Sequence, residues 1–497
     1  MKKNVKTDFS LFLEGLFDGE REKIHSFFSE FDLNFLVSKK EKLKFRNDFE
    51  SAIMALVRRG VSVDEALSRL ALSNLGGFYA RTSIVWFPLD DAAKIYPVSM
   101  EHGRQQVFRL SVYFKEDVIP EILQMALTFT IKRFPSFATS LKKGIFWHYL
   151  DVVKTHFSIE REHDVPCQPI KVSLSGSKTF RLMYYNNRVS AEFFHVLTDG
   201  TGAMTFLKSL TSEYLRLCGV QSSGGDVWDV NATPANDEFE NAFLKVERAK
   251  SSSGFVDKPA VQMNGRLSRR KPCRILHFKM SADRLHEVAK QNGVTVTAYL
   301  LMQMFYASSA STDEMMGDVN IQVPVNMRKY YPSRTVRNFS MYCGIRIPKD
   351  RIGERESLLS EITSQLTEKG ARDKMQEMVT AAVKLVGSIR LIPLVIKQPI
   401  AKTVYGFLGE KIYTTTFSNL GVVNMPAEFA EHIECMDFCL GAQVTNRLAC
   451  AAVTCEGVTT FSISKMTADP TFEEKMYKLL SDDGIEVAVE GSEYYAR

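Results

Sequence analysis

Residues 180–217 have few ways to fold. Phe180–Tyr185 and Arg188–Phe194 are two short runs rich in aromatic and β-branched residues, split by Asn186-Asn187. Asparagine tolerates the positive φ of a tight primed turn, so the pattern predicts a hairpin. Beyond it, Ala203, Leu207, Leu210, Tyr214 and Leu217 recur at spacings of 4, 3, 4 and 3, the apolar stripe of an amphipathic helix over 201–217. A hairpin that runs almost directly into a helix commits this part of the chain to an α/β architecture.

The same alternation covers most of the 497 residues. Val107–Tyr113 reads as a strand and 117–133 as a helix. After residue 272, a strand at 274–280 leads to helices at 282–291 and 298–309 and a strand at 320–326. A polar helical stretch at 354–386 follows, then strands near 412–418, 441–447, 449–455 and 458–464, and a last helix at 471–480. Residues 220–272 break the pattern with Ser222-Ser223-Gly224-Gly225, Ser251-Ser252-Ser253-Gly254 and the basic run Arg269-Arg270-Lys271. The expected division is a helical appendage over 1–78, a first α/β half over 79–219, a crossover linker over 220–272 and a second α/β half over 273–497. In the appendage Phe9, Phe12, Leu13, Leu16 and Phe17 repeat at helical spacing, as do Phe49, Ile53, Leu56 and Val57. Ser62-Val63-Asp64-Glu65 is a capping box. This Phe-rich face either packs on the main body or meets a protein or membrane surface.

Charged residues are 24% of the chain and hydrophobic ones 45%, which excludes a disordered chain. A net charge of +5 is too weak to point to nucleic acid. The 8 cysteines form no dense framework and none is spaced as a zinc ribbon, so buried, reduced thiols in a cytoplasmic protein are expected. No apolar run of about 7–15 residues follows Met1, and the uncharged stretch 291–312 is too polar to span a membrane.

Several motifs fail on inspection. Gly200-Thr201-Gly202 lacks the third glycine of a dinucleotide loop, where Thr205 stands. His286-Glu287 lacks the second zinc-binding histidine, where Lys290 stands. His432 with Cys435 and Cys439 has no fourth ligand, and no metal site is expected. What remains is Ala191 to Gly200. Val189, Ala191, Phe193 and His195 fall on one face of the strand, so His195 leaves the strand end on an apolar face. An imidazole fixed there suits general-base work. Asp199 can organise the turn by accepting backbone N–H groups or an arginine, and Gly200 allows a close approach. The plain alternative is a core histidine followed by an aspartate N-cap.

His195-x-x-x-Asp199-Gly200 between a strand and a helix resembles the motif of the chloramphenicol-acetyltransferase-like and condensation-domain acyltransferases. Trp86-Phe87-Pro88-Leu89-Asp90 with Ala92-Ala93-Lys94-Ile95-Tyr96-Pro97 looks like bacterial alcohol acetyltransferase-like proteins. Val323 to Arg328, Arg337-Asn338-Phe339 and Phe417-Ser418-Asn419-Leu420-Gly421 resemble motifs of that family's second half. Two departures matter. Phe194 stands where peptide-forming condensation domains carry a first histidine, and Asn338-Phe339-Ser340 is the nearest analogue of the plant family's Asp-Phe-Gly-Trp-Gly.

The resemblance implies two similar subdomains of mixed sheet flanked by helices, with a tunnel between them. It implies an O-acyltransferase that uses acetyl-coenzyme A or another acyl-coenzyme A as co-substrate, an alcohol as acceptor, and no metal or bound cofactor. In it His195 is the general base, and Asp199, beside Gly200, pairs with Arg328 as a structural unit. Ser418, Asn419 and Asn338 are candidates for oxyanion or substrate contact. Arg269, Arg270 and Lys271 read as a solvated loop, with coenzyme A phosphates as the sharper alternative. A carrier-protein-dependent condensation activity and a non-catalytic binding member of the fold are the other functions it allows.

Overall fold

The computed structural model describes residues 7–35, 37–79, 86–94, 96–99, 106–153, 156–170, 177–222, 224–250, 257–268, 272–397, 411–441 and 447–491. The hairpin forms: Phe180–Tyr185 pairs antiparallel with Arg188–Phe194, and Asn186 takes a left-handed φ of +47°. Asn187 Nδ2 donates to the Phe114 carbonyl at 2.7 Å, fastening the turn to the neighbouring strand.

This hairpin lies in a five-stranded sheet ordered Ile433–Leu440, Val107–Phe114, Arg188–Phe194, Phe180–Tyr185, Glu160–Arg161. Val189, Ala191 and Phe193 enter the first apolar core. Ser190 and Glu192, on the other face, are also buried, and Arg109 reaches Ser190 Oγ at 2.6 Å and Glu192 Oε1 at 3.4 Å. The helix Gly200–Cys218 lays Phe206 on Phe180 and Phe193, with ring centroids 5.4 and 6.0 Å apart. It ends at Gly219, whose φ of +110° closes the last turn.

The second half is a seven-stranded sheet ordered Ser340–Pro348, Asp318–Asn326, Thr415–Val423, Leu448–Cys455, Val458–Lys465, Arg274–Ser281, Ala488–Gly491. The pairings of Thr415–Val423 with its two neighbours are parallel and the others antiparallel. The helix Val296–Ala310, almost wholly buried, packs against Ala282–Gln291, Arg355–Lys369 and Thr471–Asp482 over a second core. The protein is thus α/β, with two large mixed sheets flanked by helices. Among the described residues no helix is long and apolar enough to cross a membrane.

Two expectations need correction. The strand expected at 441–447 is instead Ile433–Leu440, and it crosses back to pair with Val107–Phe114 of the first sheet. Residues 442–446 lie outside the described residues. Second, Ser340–Pro348 is a strand that was not anticipated, although Met341, Cys343, Ile345 and Ile347 alternate inward along it. The expected crossover linker, 220–272, is packed where it is described. Glu238 is buried and bonds Arg133, while Phe243, Val246, Val261 and Met263 enter the second core. Arg269, Arg270 and Lys271 lie outside the described residues.

The N-terminal helices share the first core. Helix Lys39–Arg58 sets Phe49 against Phe129 of helix Pro120–Ile131, with ring centroids 6.1 Å apart. Asp48 meets His156 Nε2 at 2.6 Å, and Arg69 donates to the Leu217 carbonyl at 3.2 Å. Phe45, Phe49 and Ile53 are thus buried in this shared core, whereas Phe17 is exposed.

Candidate active site

His195 stands one residue past its strand, where its N–H donates to the Gln106 carbonyl at 2.8 Å. The imidazole is half-buried and lies between two rings, Tyr96 at 4.9 Å and Phe108 at 5.2 Å between centroids. Its Nδ1 is 2.8 Å from Asn338 Oδ1. Asn338 Nδ2 donates to Asp90 Oδ2 at 3.3 Å, and Asp90 Oδ1 accepts the Ala93 N–H at 2.7 Å. Arg337 Nη2 is 3.7 Å from Asp90 Oδ2, and the guanidinium donates to the Pro88 and Phe239 carbonyls. Burial pushes the Asp90 carboxyl up and the Arg337 guanidinium down, and the opposite charge of each resists the shift of the other.

Four residues on, the Asp199 carboxylate does three things at once. Oδ1 accepts the Gly202 N–H at 2.9 Å as a helix cap. Oδ2 accepts Arg328 Nη1 at 2.8 Å and the Phe339 N–H at 2.7 Å. Arg328 also donates through Nη2 to the Thr335 and Arg337 carbonyls, each at 2.8 Å. Thr198 Oγ1 donates to the Val336 carbonyl at 2.6 Å. Segment 335–339 of the second half is thereby fastened onto the turn 198–202 of the first, and this carries Asn338 to His195. Gly202 is the close-approach glycine: a Cβ there would stand 2.1 Å from the Val336 oxygen. At Gly200 the nearest neighbour of a Cβ would be the Leu420 side chain, at 2.7 Å.

Leu420 belongs to the strand Thr415–Val423, so the second sheet reaches the same turn. Phe417 is fully buried in the second core. The strand period therefore turns Ser418 away from that core, toward the first half. Asn419 falls on Phe417's side and donates to Thr297 Oγ1 at 3.1 Å, while its Oδ1 takes the Gly421 N–H.

No family profile matches this sequence, and no curated protein matches it. Solved structures do. Polyketide synthase associated protein 5 from Mycobacterium tuberculosis superposes with a TM-score of 0.55 at 11% identity, over 79% of this chain and 96% of that one. The trichothecene 15-O-acetyltransferase TRI3 from Fusarium sporotrichioides gives 0.52 at 11%, over 80% and 94%. TRI101 from F. graminearum, in complex with coenzyme A and deoxynivalenol, gives 0.54 at 11%, over 81% and 99%. The chain has the chloramphenicol-acetyltransferase-like fold.

Within that fold the structure brings together His195, Asp199, Gly200, Arg328 and Asn338, and turns Ser418 toward the same seam. Asn338 sets its oxygen against the His195 ring. Asn419 faces the helix Val296–Ala310 through Thr297. The resemblance assigns no role to Asp90 or Tyr96. Nothing local singles out Asp90 from Asp91, whose carboxylate pairs at 2.7 Å with Lys94 in the ordinary i,i+3 manner.

Proposed function

We propose that this protein is an acyltransferase that moves an acyl group from a thioester, acyl-coenzyme A first among them, to a hydroxyl, with His195 as general base. One observation carries the proposal. His195 sits half-buried where the two halves meet, its Nδ1 is held by Asn338, and among the described residues no group bonds its Nε2. A neutral imidazole anchored through one nitrogen offers the other to a substrate proton.

In the step proposed, Nε2 takes the hydroxyl proton as the acceptor oxygen bonds to the thioester carbonyl carbon. The negative charge that develops on the carbonyl oxygen needs a donor, and Ser418 Oγ is the candidate. Collapse of the tetrahedral species breaks the C–S bond, and the proton on Nε2 passes to the leaving thiolate. No acyl-enzyme is needed, because the proton is the only thing His195 holds. In this reading donor and acceptor approach His195 from opposite sides of the seam between the two halves. Asp199 and Arg328 hold the turn and touch neither substrate. TRI101 has been crystallised with coenzyme A together with T-2 or deoxynivalenol, which supports a thioester-and-hydroxyl substrate pair on this fold.

The test is a thiol-release screen over acetyl- and longer acyl-coenzyme A donors, with a panel of alcohols and His195→Ala as control. Release that depends on both alcohol and His195 is expected. Activity restricted to acyl groups on a phosphopantetheinylated carrier would reassign the donor. Release from none of these donors would leave a binding protein.

A further inference from the structure

We infer that Asp90, acting through Asn338, decides which nitrogen of His195 is the base, and is thus a positioning residue for the reaction; this rests on His195 being that base. The groups that bond or pair with the Asp90 carboxylate are donors, while Asp91 adds a like charge nearby. Oδ1 takes the Ala93 N–H at 2.7 Å, and Oδ2 takes Asn338 Nδ2 at 3.3 Å and faces Arg337 at 3.7 Å. In its ionised form, which the Arg337 charge beside Oδ2 favours, Asp90 acts only as acceptor, so Asn338 presents its NH2 to it. The amide oxygen then points at His195 Nδ1, 2.8 Å away. That oxygen can only accept, so Nδ1 carries the hydrogen and Nε2 keeps its lone pair.

The reverse amide orientation sets the Asn338 oxygen against Asp90 Oδ2. Asp90 and Asn338 are 0% and 1% exposed, so no bulk water relieves that contact. Because an amide stands between the carboxylate and the ring, Asp90 orients the imidazole without touching it. The two segments come from far apart, Asp90 from the start of the first half and Asn338 from the second. The tautomer is therefore correct only when the halves are docked.

The inference is tested by Asp90→Asn. The Ala93 N–H still needs an oxygen, so the new amide turns its NH2 toward Asn338 and flips it. His195 Nδ1 becomes an acceptor and the hydrogen moves to Nε2. The expected loss in kcat is about 10²–10⁴-fold, the scale of a base in the wrong tautomer, with KM for the donor held. The double variant Asp90→Asn with Asn338→Asp restores the order of donor and acceptor. It should regain at least about tenfold in kcat over Asp90→Asn alone.

¹⁵N spectra of the His195 ring report the tautomer without any substrate. They should show the hydrogen on Nδ1 in the native chain, on Nε2 in Asp90→Asn, and on Nδ1 again in the double variant. A native ring with the hydrogen on Nε2 overturns the inference, and that measurement stands even if Asp90→Asn does not fold. So does an Asp90→Asn protein with unchanged tautomer and kcat within about threefold of native. A tautomer that switches as described in a protein that transfers no acyl group would uphold Asp90's control and sink the acyltransferase proposal instead.

Discussion

Asp199 and Arg328 meet across the two halves, Arg328 Nη1 donating to Asp199 Oδ2 at 2.8 Å, with both side chains largely out of solvent. Each also holds backbone from the 335–339 segment. Removing one partner leaves the other charge buried, at a cost of roughly 3–5 kcal/mol. Asp199→Ala and Arg328→Ala should each lower the melting temperature and activity together. The double variant should be well short of additive, as a thermal denaturation cycle will show. Strict additivity would mean that the pair does not act as a unit.

His195→Ala should behave in the opposite way, with transfer lost by about 10²–10⁴-fold while the melting curve stays near native. Ser418→Ala separates a side-chain oxyanion donor from a backbone one. A kcat lower by about 10²-fold or more supports the hydroxyl, and an unchanged kcat moves the role to an N–H group. Steady-state kinetics beside a thermal melt suffice for both variants.

Gly202→Ala should destabilise, although alanine ordinarily exceeds glycine in a helix by about 1 kcal/mol. The added methyl would stand 2.1 Å from the Val336 oxygen and 2.4 Å from Thr198 Oγ1. Forcing them apart costs about 1–3 kcal/mol and draws Asn338 away from His195, so activity should fall too. Gly200→Ala should be milder, since Leu420 Cδ2 is the end of a side chain that can turn. Urea midpoints for the two variants provide the comparison.

Glu162 gives a stability change with a defined sign. Burial pushes its carboxyl up, but Arg109 and Arg188 outweigh that, and the net position is below the ordinary 4.5. A lowered carboxyl contributes stability above its unfolded value, and this is lost as the pH falls through the folded value. Native protein and Glu162→Gln should therefore differ most in urea midpoint near neutrality, and the gap should close below about pH 4.5. A gap that widens in acid would reverse the assignment.

Removing residues 1–78 should give an aggregating or unfolded protein rather than a trimmed one. Phe45, Phe49 and Ile53 are buried in the shared core, and Tyr79, just past the cut, lies between Phe35 and Phe45. Uncovering each such side chain costs about 1.5–3 kcal/mol. Size-exclusion chromatography decides the matter, and a monodisperse, active truncation would show the appendage to be dispensable for the fold.

Local pattern was enough to determine the elements on which the site is built. The Asn186-Asn187 turn, the stripe from Ala203 to Leu217, the Ser62 N-cap and the strand-end place of His195 all follow from spacings of a few residues. They also follow from turn and cap chemistry that depends on nearest neighbours alone. The pairing of Asp199 with Arg328 was reachable only through resemblance, because 129 residues separate them. Tertiary structure decided the rest. Ile433–Leu440 joins the first sheet, although its sequence place is in the second half, because its partner Val107–Phe114 offers an unpaired edge and no residue type encodes which edge a strand will join. Asn419 and Ser418 went to opposite sides of one strand because Phe417 enters the second core. Asp90, indistinguishable in sequence from Asp91, acquires its place only because docking brings Asn338 and Arg337 to it. Long-range juxtaposition of buried polar groups depends on how apolar faces pack, and a local pattern carries no record of that.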